Sequence, residues 1–281
     1  MTFHAPAFSY PGGKVTLRKW LVSRMPLGGR RYIEPFAGRG NVFWLASCML
    51  AFREWHLNDP WTARWFEAVR RVSMNAIPDE LTKMLVGLCK ARALSHRMTD
   101  DLSVVLESRT MFSGGTAGVS RSSGINTLWK NHPSLNRFKT ELARAKSILR
   151  ETRPKITALE WEDLDLGSLK NDDFAYLDPP YEKATDGIYF HNTVVHSDLL
   201  RYLIQAPHLW MLSGLSSSLY SQYLGVPEAT RSQKVIMTVK MRAGSKFRTE
   251  CIWTNYTIGP DGVAVRKPRR TRLINKRRIL L

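Results

Sequence analysis

Asp178-Pro179-Pro180-Tyr181, at the end of the apolar run Phe174-Ala175-Tyr176-Leu177, sets a carboxylate beside an aromatic ring. The run reads as a short buried strand, and two prolines stop its ladder and hold the backbone in an extended turn. Open α/β sheets bind ligands at the C-terminal edges of their parallel strands, where this pair would lie. One chemistry suits it. Asp178 can accept the hydrogens of a flat exocyclic amine, turning the nitrogen lone pair toward a methyl donor, while Tyr181 stacks on the base. Four residues alone also fit an ordinary Asp-Pro turn.

Such a pair needs a donor site beside it. Tyr32-Ile33-Glu34-Pro35-Phe36-Ala37-Gly38-Arg39-Gly40-Asn41 reads as strand and glycine turn, and a helix follows with Asn41 as its cap. Gly38 and Gly40 let the backbone come close to a ligand. Trp55-His56-Leu57-Asn58-Asp59 then reads as a second strand ending in an acid, and such an acid can take ribose hydroxyls. No third glycine follows at the helix-packing position, so an adenosine ligand without pyrophosphate fits better than a dinucleotide. Upstream lies Ser9-Tyr10-Pro11-Gly12-Gly13-Lys14, which by itself is a turn with a lysine.

Taken in order, the three segments resemble the Dam-type (D12 class) DNA adenine N6-methyltransferases. That family shows an aromatic-x-Gly-Gly-Lys opening, then Glu-Pro-Phe-x-Gly-x-Gly, then Asp-Pro-Pro-Tyr. The resemblance covers roughly residues 8–258. It implies a doubly wound, mostly parallel α/β fold, Rossmann-like, with an inserted, mainly helical DNA-recognition domain. It also implies S-adenosylmethionine as cofactor, double-stranded DNA as partner, and site-specific methylation of adenine N6 by base flipping. Asp178, Pro179, Pro180 and Tyr181 become the catalytic turn. Tyr10, Lys14, Glu34, Phe36, Gly38, Gly40, Asp59 and Asp178 become cofactor contacts, with Lys14 near the cofactor carboxylate. Asp163-Leu164 stands where the family carries Asp-Phe against the cofactor adenine; the acid matches and the ring does not. No metal is implied, because a sulfonium leaves unaided.

Composition agrees with a nucleic-acid enzyme. The 281 residues carry a net charge of +18, which attracts phosphate backbones, as it also would in a ribosomal protein or a non-catalytic DNA binder. The N-terminus lacks a signal-type apolar segment, and the longest apolar stretch, residues 42–52, is too short to span a bilayer. A cytoplasmic, prokaryotic or phage-type protein is expected, monomeric by default. Cys48, Cys89 and Cys251 are scattered, and none follows a proline as the nucleophile of a cytosine-C5 methyltransferase does.

The expected layout is a catalytic domain of residues 1–72 and 152–258, a recognition insertion of 73–151, and a basic tail of 259–281. Helices are predicted over 61–72, 79–93, 100–111, 134–150 and from Ser197. Strands are predicted over 155–159 and 210–213, with a hairpin of 234–242 and 248–256. The loop 113–124 is too rich in glycine and serine to fill a core; it is a surface loop, or one that orders on DNA. In the second case Arg121 and Lys130 reach phosphates or bases and Trp129 stacks. Phe112 to Gly115 matches the family's recognition segment, but the arginine pattern that reads GATC is missing, so that target does not carry over. Residues 182–192 form a candidate closing loop. Rival readings are a cytosine-N4 or RNA amino-methyltransferase, and a DNA-binding protein with a decayed site. Asp178, where serine would favour cytosine, argues against the first. Whether a restriction endonuclease accompanies the chain stays open.

Overall fold

A computed structural model describes residues 5–8, 12–77, 100–110, 135–182, 194–239, 242–259 and 263–268. In chain order the elements are α1 (Arg18–Val22), β1 (Gly28–Glu34), α2 (Phe43–Met49), β2 (Ala51–Asn58), α3 (Ala63–Arg71), α4 (Asp101–Thr110), α5 (Leu135–Thr152), β3 (Lys155–Thr157) and β4 (Phe174–Leu177). There follow α6 (His196–Gln205), β5 (Leu209–Leu215), α7 (Ser218–Leu224), β6 (Ala229–Val239), β7 (Arg242–Thr254), β8 (Tyr256–Ile258) and β9 (Ala264–Arg266).

The large sheet has seven strands in the order β3-β2-β1-β4-β5-β7-β6. Every neighbouring pair from β3 to β5 is parallel, while β7 runs against both β5 and β6. This is the doubly wound α/β fold that the sequence predicts. The chain leaves β1 toward β2 on one side and places β4 on the other, so the strand order switches between β1 and β4. A ligand crevice opens at the carboxyl ends of two such strands. Glu34 ends one of them and Asp178 follows the other, so two motifs far apart in sequence meet at one edge.

Both faces of the sheet are covered, which is why its strands read as nearly continuous apolar runs. Successive residues go to opposite clusters. Tyr32, Phe174, Tyr176, Met211 and Ile252 join the core beneath α1 to α5, where Phe43, Trp44, Trp65 and Phe66 pack. Ile33, Ala175, Leu177, Leu212 and Trp253 face α6 and α7, with Trp161, Leu164, Leu199 and Leu203. Lys146 of α5 fixes the helical layer by donating to the Val69, Arg70 and Val72 carbonyls at 3.2, 2.7 and 2.7 Å. A cation at the end of α3 is the charge that a helix C-terminus favours.

Four expectations need correcting. Asn41 does not cap α2: Phe8 N–H donates to its Oδ1 (3.0 Å) and its Nδ2 donates to the Phe8 carbonyl (2.9 Å). A backbone segment distant in sequence has won over the local cap and ties residues 5–8 to the glycine turn. Within the expected insertion, α4 and α5 bury Val105, Leu106, Phe138, Leu142 and Leu149 in the main core, so these helices share one core with the large sheet. Residues 78–99 and 111–134 lie outside the described residues. The tail begins later than expected, because β9 pairs with β8. Arg266 donates to the Ala206 and Pro207 carbonyls, and Lys267 pairs with Glu228. Finally, β6 and β7 are each longer than the predicted strands of the hairpin.

Candidate active site

The glycine turn is shaped by backbone geometry and then braced from three sides. Gly38 and Gly40 sit at φ 51° and 66°, a region that L side chains avoid. A Cβ on Gly40 would lie 3.0 Å from the Phe66 ring. Trp44 Nε1 donates to the Arg39 carbonyl at 2.7 Å, and the Thr62 hydroxyl donates to the Gly38 carbonyl. Asp59 closes the brace: Oδ2 accepts from Gly38 N–H at 2.9 Å, and Oδ1 accepts from Trp61 and Thr62 N–H, both at 2.9 Å. The acid expected to take a ribose therefore first ties the turn to the start of α3. Burial raises its pKa, against the pull of these backbone donors.

Glu34 lies beneath the turn, with the Tyr32 hydroxyl donating to it. Burial pushes its pKa up to about 8, helped by the charge of Asp178 and opposed by the hydrogen bonds from Tyr32 and from the Phe43 N–H. This carboxyl is spent on the protein's own donors and supports the turn from below. Phe36 is half-buried beside it. Asp163 is exposed at the end of a short 3₁₀ turn, Trp161–Asp163, and the next residue, Leu164, is buried. Both line a cleft of about 880 Å³ with Ile33, Thr157 and Leu159. Asn58 shapes this edge: Nδ2 donates to the Pro35 and Leu159 carbonyls, and Oδ1 accepts from Thr157 and Leu159.

The Asp178–Tyr181 turn holds an ion cluster. Lys14 Nζ lies 2.8 Å from Asp178 Oδ1 and 3.2 Å from Glu250 Oε1, and donates to the Tyr181 hydroxyl at 3.1 Å. The same ammonium stands 5.0 Å from the centre of the Tyr181 ring. Tyr181 in turn donates to Glu250 Oε2 at 3.3 Å. Ser213, at the end of β5, donates to Asp178 Oδ1 at 3.1 Å and is joined to the Tyr176 hydroxyl at 2.8 Å. Lys14 is 4 % exposed and Glu250 1 %, whereas Asp178 is 18 % exposed. Asp178 is therefore the most exposed of the three charged groups in the cluster.

Burial pulls the Lys14 pKa down, but Asp178 and Glu250 outweigh it and hold it well above the usual lysine range. Both acids are pushed up by burial and drawn back by Lys14. Tyr181 is pushed up to about 12, chiefly by burial, and stays a neutral phenol. Behind the turn, His196 Nδ1 meets the Tyr220 hydroxyl at 2.7 Å, and the Ser217 hydroxyl donates to Glu182.

The structure thus brings Lys14, Asp178 and Tyr181 together, and pairs Lys14 with Asp178, although a cofactor carboxylate was expected to be its partner. Pro179 is buried and Pro180 half-buried behind them. Tyr10, Arg121, Trp129 and Lys130 lie outside the described residues. Glu250, Ser213 and the Tyr176 hydroxyl were missed from sequence. The signal available for Glu250 was an acid inside the strand run Cys251-Ile252-Trp253.

Residues 10–62 match the family of D12 class N6 adenine-specific DNA methyltransferases. That span holds Lys14, the glycine turn and Asp59, and stops well before Asp178. Among curated proteins, none matches the chain. A Pyrococcus horikoshii structure, provisionally described as an RNA methyltransferase, is 11 % identical over 88 % of this chain and 84 % of its own, with TM-score 0.36. A precorrin-6Y C5,15-methyltransferase from Geobacter metallireducens is 8 % identical over 85 % and 87 %, with TM-score 0.35. Likenesses this distant add nothing to the fold, which rests on the chain's own strand order. No described helix is long and apolar enough to cross a membrane.

Proposed function

We propose that this chain transfers the methyl group of S-adenosylmethionine to N6 of adenine in DNA. The observation that carries the reading is Asp178, partly exposed and held by Lys14 beside Tyr181 at the switch-point edge shared with the braced glycine turn. The residues fit the cofactor: Gly38 and Gly40 keep side chains out of the crevice, Phe36 and Leu164 offer apolar surface, and Asp163 offers an exposed acceptor. Asp59, just past β2, would serve the ribose edge chiefly by bracing the glycine turn. When bound, the cofactor supplies a methyl group on a sulfonium that is its own leaving group.

The chain's residues supply the rest. Adenine must leave the duplex to reach Asp178, an extrusion costing a few kcal/mol. Tyr181 stacks on the extruded base. Asp178 Oδ2 accepts one N6 hydrogen and the Pro179 carbonyl the other, which fixes the nitrogen lone pair in line with the methyl group. Ser213 keeps the Asp178 carboxylate in plane. Positive charge along the chain, with Arg121, Lys130 and Trp129 as recognition candidates, holds the duplex.

The test is transfer of labelled methyl from S-adenosylmethionine to double-stranded DNA, with the product base identified by mass spectrometry. N6-methyladenine is expected, and Asp178→Asn should lower turnover by about a hundredfold or more, since an amide can point a donor at N6. Labelled N4-methylcytosine, or label found only in RNA, replaces the substrate assignment. No transfer to any nucleic acid, with S-adenosylhomocysteine bound, sinks the reading.

A further inference from the structure

The reaction as described leaves Glu250 without a task. It stands on β7, the reversed strand, facing the same side as Ile252, and is nearly inaccessible. A carboxylate so placed costs several kcal/mol unless it is paired, and an apolar residue would serve packing alone at least as well. Its two oxygens go to the two groups that touch Asp178 or the base: Oε1 to Lys14 and Oε2 to Tyr181.

The resting site has one ammonium for two carboxylates. Lys14 sits closer to Asp178, at 2.8 Å against 3.2 Å for Glu250, and shares Asp178 Oδ1 with Ser213. That arrangement is stable and unsuited to transfer. An amine that loses a proton as it is methylated needs the full negative charge of Asp178, and an ammonium in contact withdraws it. Lys14 has three donors on a flexible stem and already contacts both acids, at 2.8 and 3.2 Å. Burial raises the pKa of both acids and each is lowered by Lys14, as expected of two groups competing for one cation.

We propose that Glu250 is a positioning residue that takes Lys14 away from Asp178 when a nucleobase amine docks, and holds the Tyr181 ring by its hydroxyl as it does so. This rests on the function proposed above. Asp178 is then free to accept the N6 hydrogen, and Lys14 stays paired throughout, so no buried charge is stranded during the exchange.

The test is a double-mutant cycle on methyl transfer to double-stranded DNA. Glu250→Gln should lower kcat by about 10- to 100-fold, with KM for DNA and for S-adenosylmethionine changed less than about threefold. In a Lys14→Met background the same substitution should cost less than about twofold, because no ammonium remains to be received. A merely structural Glu250 multiplies its cost in both backgrounds, and that result overturns the proposal, as does a Glu250→Gln kcat equal to wild type. If Glu250→Gln alone does not fold, Lys14→Met with Glu250→Gln, which buries neither charge, is compared with Lys14→Met; a further loss above about threefold overturns the proposal. Wild-type protein that methylates no DNA defeats the function first. Active wild type with multiplicative costs defeats only the role of Glu250.

Discussion

Replacing Glu34 by glutamine should remove a pH dependence of stability that the wild-type fold carries. Glu34 is buried, and its pKa rises from an ordinary value near 4.5 to about 8. The native state therefore keeps a proton that the unfolded chain gives up between those two values. Stability is intact below pH 4.5, falls as pH rises through the window, and levels off above about 8. At about 1.4 kcal/mol per pH unit, the interval amounts to about 5 kcal/mol. Glutamine keeps the acceptor that the Tyr32 hydroxyl and the Phe43 N–H use, and it never ionises. Urea unfolding of both proteins at pH 5, 6.5, 8 and 9 is the assay. The difference in unfolding free energy should shift toward the variant by about 1.4 kcal/mol per unit between pH 5 and 8, then saturate. Parallel curves would show that Glu34 ionises normally and refute the argument from burial.

The other predictions concern the turn, the helical layer and the C-terminus. Gly40→Ala meets both a positive φ and the Phe66 ring, so it should cost about 1–3 kcal/mol, read as a fall of about 3–8 °C in Tm, and weaken S-adenosylhomocysteine binding in calorimetry. Lys146→Met leaves three carbonyls at the end of α3 without their cation and should lower the urea-derived stability by about 1–3 kcal/mol; a change within about 0.3 kcal/mol would deny Lys146 that capping role. Truncation after Pro268 removes six arginines and lysines, so it should weaken DNA binding at every sequence and flatten its salt dependence while leaving Tm unchanged. Truncation after Gly262 also removes β9 with Arg266 and should lower Tm; equal Tm for the two truncations would contradict the docking of that strand.

What the sequence disclosed and what it hid differ by range. The glycine turn and the catalytic turn were legible because their chemistry is local: a positive φ asks for glycine, and two prolines end a strand wherever it lies. The continuous apolar run Phe174–Leu177 likewise read as a buried strand from its own residues. Glu250 was not legible, because its meaning depends on β7 being reversed between β5 and β6, and Ser213 was not, because its contact with Asp178 depends on β5 lying beside β4; no residue pattern along the chain states that order. Asn41 was misread by the same logic. Its capping preference is local, and the partner that won, the Phe8 backbone, is fixed only by the finished fold. The strand 264–266 was hidden by the basic residues around it, which suggested an unstructured end.

The cluster at the catalytic turn draws its cation from the first residues after the N-terminus and one of its anions from near the last strand. During synthesis, Lys14 emerges long before Glu250, and β5 waits with an open edge until β7 arrives to pair with it. An unfinished chain can therefore wind β1, β2 and β4 but cannot close the site, and its bare β5 edge is a template for pairing with other chains. Closure by so distant a contact is slow by its loop entropy. A nascent polypeptide should therefore lack the Lys14–Glu250 contact until translation has passed β7.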